Sequence, residues 1–175
     1  MKTNKTLLFV AVACIALAGC TKKNVKEDNA GNGTSSVPPS ATTSSIGNSV
    51  GGRYTPGDLE TDSCLRQRVV YFDFDQDTLK PEFQAIISCH AKYLMDRPEA
   101  RLNLEGNADE RGSREYNRGL GERRGNAVSA AIHGSGAASG QMTVISYGEE
   151  RPVCTESNEE CWGKNRRVEI VYTSK

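Results

Sequence analysis

The sequence predicts an α/β sandwich with helices on one face of a four-stranded sheet. Three observations predict it. The run Arg68-Val69-Val70-Tyr71-Phe72-Asp73-Phe74 is β-branched and aromatic, as a strand requires. Leu79, Phe83, Ile86, Ile87, His90 and Leu94 recur at helical spacing directly after it. Beyond them the segments continue as strand, helix, strand, loop, strand, an order that gives one sheet covered by helices.

Each element has its own signals. Pro81 suits the first turn of the first helix, Asp77 or Thr78 can cap it, and Pro98 requires it to end by Arg97. Arg101-Leu102-Asn103-Leu104-Glu105 alternates as a second strand. The polar loop Gly106 to Gly112 leads into a second helix from about Ser113 to His133, and Met142 to Tyr147 forms a third strand. A loop holding two cysteines precedes a last strand, Arg166 to Tyr172. His90 lies on the apolar stripe of the first helix and reads as a packed side chain rather than a catalytic one.

The N-terminus reads as an export signal, residues 1–19. Lys2 and Lys5 give a positive start, Leu7 to Leu17 an apolar stretch, and Ala18-Gly19 a small-residue exit. A spanning helix needs roughly 20 apolar residues, and the run from Thr6 to Gly19 is shorter. Leu17-Ala18-Gly19-Cys20 resembles the lipobox of bacterial lipoproteins, which implies that Cys20 becomes the first mature residue and carries acyl chains. Cys14 lacks the preceding leucine that this pattern prefers. Each buried acyl methylene contributes about 0.8 kcal/mol, so several chains hold a protein on a membrane lastingly. Thr21 rather than aspartate follows the cysteine, and by the same resemblance this implies the outer membrane.

Residues 20–62 read as the lipidated N-terminus and a flexible linker, dominated by Asn, Gly, Ser, Thr and Pro. Such a segment spans roughly 35 Å as a coil and stretches to about 130 Å. The folded domain is expected over 63–175. With 22 basic and 22 acidic residues the chain lacks the charge excess of nucleic-acid binders. Removing Lys2 and Lys5 leaves 20 basic residues, so the mature chain is slightly acidic. Cys64, Cys89, Cys154 and Cys161 remain beside Cys20, and export places them where disulfides persist. Three pairings are possible; closeness in sequence favours Cys154 with Cys161, leaving Cys64 with Cys89.

The second helix holds the most informative anomaly. Tyr116, Leu120, Ala127, Val128 and Ala131 define its apolar stripe, and Arg124 falls near the centre of that stripe, aligned with Asn117 and Leu120. A stem that packs while its guanidinium turns outward explains the position. So does a fork of donors offered to a ligand carboxylate. The loop Glu105-Gly106-Asn107-Ala108-Asp109-Glu110-Arg111-Gly112 sets carboxylates beside the start of that helix. One negative and one positive group placed so can meet a small zwitterion.

Several segments resemble the OmpA-like C-terminal domain family, and within it the lipoproteins of the Tol system. They are Val70-Tyr71-Phe72-Asp73-Phe74-Asp75, the loop from Glu105 to Gly112, Glu115-Tyr116-Asn117, Leu120-Gly121-Glu122-Arg123-Arg124, Ser146-Tyr147-Gly148-Glu149-Glu150-Arg151-Pro152 and Asn165-Arg166-Arg167-Val168. The likeness runs in order over about residues 66 to 173. It implies a βαβαββ sandwich on a mixed four-stranded sheet and binding of peptidoglycan through the meso-diaminopimelate of its stem peptide. It further implies that Asp109 meets the ammonium and Arg124 the carboxylate, that Phe74 and Asp75 contribute main-chain and packing contacts, and that Asn107 and Leu120 line the same pocket. Implied partners are peptidoglycan, the propeller protein TolB and other Tol proteins, in envelope integrity and cell division. A wall-anchoring lipoprotein outside the Tol system would share the ligand.

The family commonly carries alanine or serine where this chain has Gly119, Gly121 and Gly125. An exposed interior glycine costs about 1 kcal/mol relative to alanine, which predicts a weaker second helix. Enzymatic motifs are missing: there is no G-x-S-x-G, no H-E-x-x-H and no Cys and His dyad, so no catalytic residues and no cofactor are expected. Asp73, Asp75 and Asp77 have calcium-loop spacing, but Thr78 and Gln84 occupy the positions of the required glycine and glutamate. No C-x-x-C pair supports zinc at Cys64, Cys89 and His90, and no metal is expected.

Overall fold

The computed structural model describes residues 52–175; the export signal, Cys20 and the linker as far as residue 51 lie outside the described residues. Four strands, β1 (Val69–Tyr71), β2 (Arg101–Asn107), β3 (Met142–Gly148) and β4 (Arg167–Ser174), form one sheet in the order β1-β4-β2-β3. β2 and β3 run parallel, while β4 is antiparallel to both β1 and β2, so the sheet is mixed. The parallel pair needs a crossover, and the long helix α3 (Arg114–Gly134) supplies it. With α2 (Gln84–Asp96) it gives the expected βαβαββ order.

The two periodicities meet in one core. Leu102 and Leu104 of β2 and Val168 and Ile170 of β4 alternate inward, against Ile87 and Leu94 of α2 and Val128 and Ile132 of α3. Burial of such side chains supplies the main drive to fold, each worth roughly 1.5–3 kcal/mol.

Three parts differ from the reading of the sequence. β1 covers only three residues, because after Phe72 the chain leaves the sheet and turns, with Gln76 N donating to Asp73 O at 3.2 Å and Asp75 at a φ of 56°. The aromatic character that suggests a longer strand serves a loop instead, and Phe74 stands 54% exposed. Packed structure also begins before residue 63. A short helix, α1 (Asp58–Thr61), buries Leu59 completely, and Tyr54 N bonds to Asp96 Oδ2 at 2.9 Å, which shortens the expected linker. A fourth helix, α4 (Glu159–Asn165), stands where a loop is expected. Seven residues carry too little apolar pattern to announce it. It is capped by the Asn158 side chain on Cys161 N at 2.9 Å and tied by the disulfide Cys154–Cys161.

Cys64–Cys89 is the second disulfide, so the pairing favoured by closeness in sequence is the one found. The premise of a weaker second helix is corrected at two of its three glycines. Gly121 and Gly125 are buried against the sheet and are not the exposed interior positions at which glycine carries its full cost. A Cβ on Gly125 would lie 2.5 Å from Val144 Cγ1, and one on Gly121 2.8 Å from Gly106 O. Missing side chains let α3 approach β2 and β3 closely.

His90 is fully buried, between Tyr172 Oη at 2.9 Å and Gln67 O at 3.0 Å. Burial drives its pKa from 6.5 to about 4, against the hydrogen bond to Gln67 and with help from the Arg68 charge. The folded state therefore takes up this proton less readily than the unfolded chain. The stability it contributes is complete above pH 6.5 and is lost as pH falls towards 4. In urea titrations the parent should lose up to about 1.4 kcal/mol per pH unit more than His90→Gln across that window. Parallel pH profiles for the two proteins would refute the assignment.

Candidate functional site

The loop after β1, the loop after β2 and the first half of α3 surround a pocket of about 190 Å³. Phe74, Asp75, Asp109, Leu120 and Arg124 all line it, together with Ala108, Arg111, Gly112, Tyr116 and Asn117. Local structure explains the convergence. A register shift between Gly106 and Asn107 bends β2 where it leaves the sheet, and Ala108 N then bonds to Gly148 O at 2.8 Å. Ser113 caps α3 by accepting from Tyr116 N at 3.2 Å, so the helix starts beside the loop.

Arg124 forms the floor. No solvent reaches it, and its guanidinium donates to three main-chain carbonyls: Gln76 at 2.8 Å, Asn107 at 2.8 Å and Asp73 at 3.0 Å. It thereby ties the β1 loop to β2, and it lies 5.3 Å from the Phe72 ring. Among the described residues no carboxylate forms an ion pair with it. Burial, then the charge of Arg166, pulls its pKa down to about 10, so it remains a cation at neutral pH. A buried cation without an anion is costly, and a ligand carboxylate would relieve that cost.

Asp109, 4% exposed, is anchored differently. Its Oδ1 accepts from Arg111 N and Nε, both at 3.1 Å, and its Oδ2 from Arg111 Nη2 at 2.7 Å and Arg166 Nη1 at 3.2 Å. Burial acts to raise its pKa, but the hydrogen bonds from Arg111 and Arg166 outweigh this and hold it below the ordinary aspartate value. Asn117 supports the loop by donating to Asp109 O at 3.1 Å and to Glu149 Oε2 at 2.5 Å. Asp75 accepts a short hydrogen bond from the Tyr116 hydroxyl across the mouth.

Asn107 does not line the pocket. Its side chain is buried and turned to Glu105 O at 2.9 Å, with Oδ1 lacking a hydrogen-bond partner, and what it gives the site is the carbonyl that holds Arg124. Arg166 and Trp162 were missed by sequence reasoning. Arg166 lies in the segment Asn165-Arg166-Arg167-Val168, where nothing in the local pattern marks an arginine at the start of a strand as buried; Trp162 belongs to the helix that carries too little pattern to find.

The OmpA family matches residues 71–166, a span that includes both loops and α3. A peptidoglycan-associated lipoprotein of Pseudomonas putida is 42% identical over 162 residues, 92% of each chain. One of Haemophilus influenzae is 38% identical, over 94% of this chain and 95% of its own. The crystal structure of the peptidoglycan-associated lipoprotein from Burkholderia pseudomallei superimposes with a TM-score of 0.64 at 40% identity, over 66% of this chain and 98% of that one. The C-terminal domain of Helicobacter pylori MotB shares the fold, with a TM-score of 0.55 at 22% identity. The chain belongs to the OmpA family, and within it to the peptidoglycan-associated lipoproteins.

Proposed function

We propose that this chain is an outer-membrane lipoprotein, anchored through Cys20, whose domain holds peptidoglycan without catalysis by gripping the meso-diaminopimelate of the stem peptide. The observation that carries the reading is Arg124, a buried cation that has no anion among the described residues, at the floor of a pocket that also holds Asp109. Diaminopimelate ends in an ammonium and a carboxylate on one carbon. The carboxylate suits the remaining donors of the Arg124 fork, and the ammonium suits Asp109. Phe74, Leu120 and the Asp75 main chain supply orientation. The names of the relatives support peptidoglycan as the wall ligand, and the extended motifs favour service in the Tol system with TolB as partner.

Calorimetry of the purified domain should show binding to a diaminopimelate-containing muropeptide. The lysine-containing counterpart lacks the second carboxylate and should bind at least 30-fold more weakly, about 2 kcal/mol for one unmatched buried charge. Equal affinity for the two peptides would sink the site. For the anchor, Cys20→Ser should abolish acyl labelling and membrane fractionation, and acylation that persists in this variant would exclude Cys20.

A further inference from the structure

The four hydrogen bonds on Asp109 leave no room for another donor. A carboxylate offers about four lone-pair directions, and Arg111 N, Nε and Nη2 with Arg166 Nη1 take one each. An ammonium reaches this carboxylate only if one donor leaves. Arg166 cannot yield easily: its side chain is 9% exposed, and it also donates to Phe72 O at 3.1 Å and Glu159 Oε1 at 2.6 Å. The Arg111 side chain is 29% exposed. Apart from Asp109 it has Glu159 Oε2 at 3.5 Å and two rings, Phe74 at 4.0 Å and Trp162 at 4.1 Å, stacked against its guanidinium.

We propose that Arg111 is an exchangeable internal occupant of the Asp109 seat, displaced by the ligand ammonium, and that its freed guanidinium turns to the ligand's carboxylate. The inference rests on the diaminopimelate reading and adds a specificity determinant to it. An amine alone would strip Arg111 of its main counter-ion and give nothing back. A ligand with ammonium and carboxylate on one carbon exchanges charge for charge. Trp162 is the positioning residue: its ring holds one face of the guanidinium, and its indole N–H is fixed by Glu110 Oε1 at 3.1 Å. Weakening that hold favours the exchange.

Trp162 is the only tryptophan of the chain, so intrinsic fluorescence watches the exchange directly. The diaminopimelate muropeptide should change the emission of the parent protein, with a midpoint equal to the calorimetric dissociation constant. Arg111→Ala should no longer show that change. Trp162→Leu loses a stack of the strength seen at exposed sites, so it should bind the muropeptide about 2- to 5-fold more tightly. A merely structural role would weaken binding. Trp162→Phe, which keeps a ring face, replaces the leucine variant if the latter fails to fold, and should shift affinity in the same direction. Calorimetric binding with a silent tryptophan, or unchanged or weaker binding by the folded Trp162 variant, overturns the exchange alone. A parent protein that binds neither muropeptide overturns the diaminopimelate reading and the exchange with it.

Discussion

Replacing Arg124 with alanine should weaken muropeptide binding by about 30-fold to several thousandfold and lower the stability of the domain by about 2–4 kcal/mol. Both effects come from one guanidinium. On the binding side, the substitution removes the buried cation of the pocket floor and leaves the ligand carboxylate with the more exposed Arg111 alone. For the fold, it strands the carbonyls of Asp73, Gln76 and Asn107, and each buried carbonyl without a donor costs about 1–3 kcal/mol. Losing an uncompensated buried charge offsets part of that sum, which keeps the net below the total of three. Arg124→Lys separates the two effects. Its ammonium can reach one of the three carbonyls and keeps the charge, so only part of the stability should return, and binding should stay weak because a point charge cannot bond carbonyls and ligand together as a planar fork does. Urea denaturation and calorimetry on the same preparations check both expectations. An alanine variant of unchanged affinity would remove Arg124 from the site.

The fold was legible where periodicity is long. α3 runs over 21 residues with a serine cap, and the apolar stripe of its sequence by itself sets Arg124 against the core. Elements decided by tertiary contacts were not legible. Val70-Tyr71-Phe72-Asp73-Phe74 has the composition of one strand, yet Arg124 holds the carbonyls of Asp73 and Gln76 and pulls its second half into a loop. The same limit applies within the pocket. Composition shows that Asp109 and Arg124 carry opposite charges, but not that Asp109 is already matched by Arg111 and Arg166 while Arg124 has no carboxylate partner among the described residues. Likewise Asn107 counts by its main chain, which no side-chain pattern reveals. Gly121 and Gly125 were misread because helix propensity ranks glycine by its cost in an exposed helix, and here a sheet lies against it.

Gly106→Ala should destabilise the domain by at least about 3 kcal/mol and abolish ligand binding, while Gly119→Ala should stabilise it by up to about 1 kcal/mol. Position, not residue type, sets the sign. A Cβ on Gly106 of β2 would collide with the Gly121 carbonyl oxygen and stand 2.6 Å from its carbon, so backbone meets backbone and no rotamer change relieves it. α3 would have to move off the strand. Overpacking of a rigid contact typically costs 1–3 kcal/mol, and here the displaced helix also carries Val128 and Ile132 of the core, which places the cost at the top of that range or above it. Function follows because Arg124 lies on α3 and its Nη1 bonds to Asn107 O, one residue beyond Gly106. Lifting the helix breaks that bond and opens the pocket floor. Gly119, one turn from the mouth, is only partly buried, and its Cβ would meet nothing closer than Arg123 Nη1 at 3.4 Å, the end of a flexible side chain. There the helix gains propensity with little displacement. Urea midpoints of the two variants should therefore move in opposite directions from the parent, and a Gly106→Ala domain as stable as the parent would show that α3 and β2 are not in contact at these glycines.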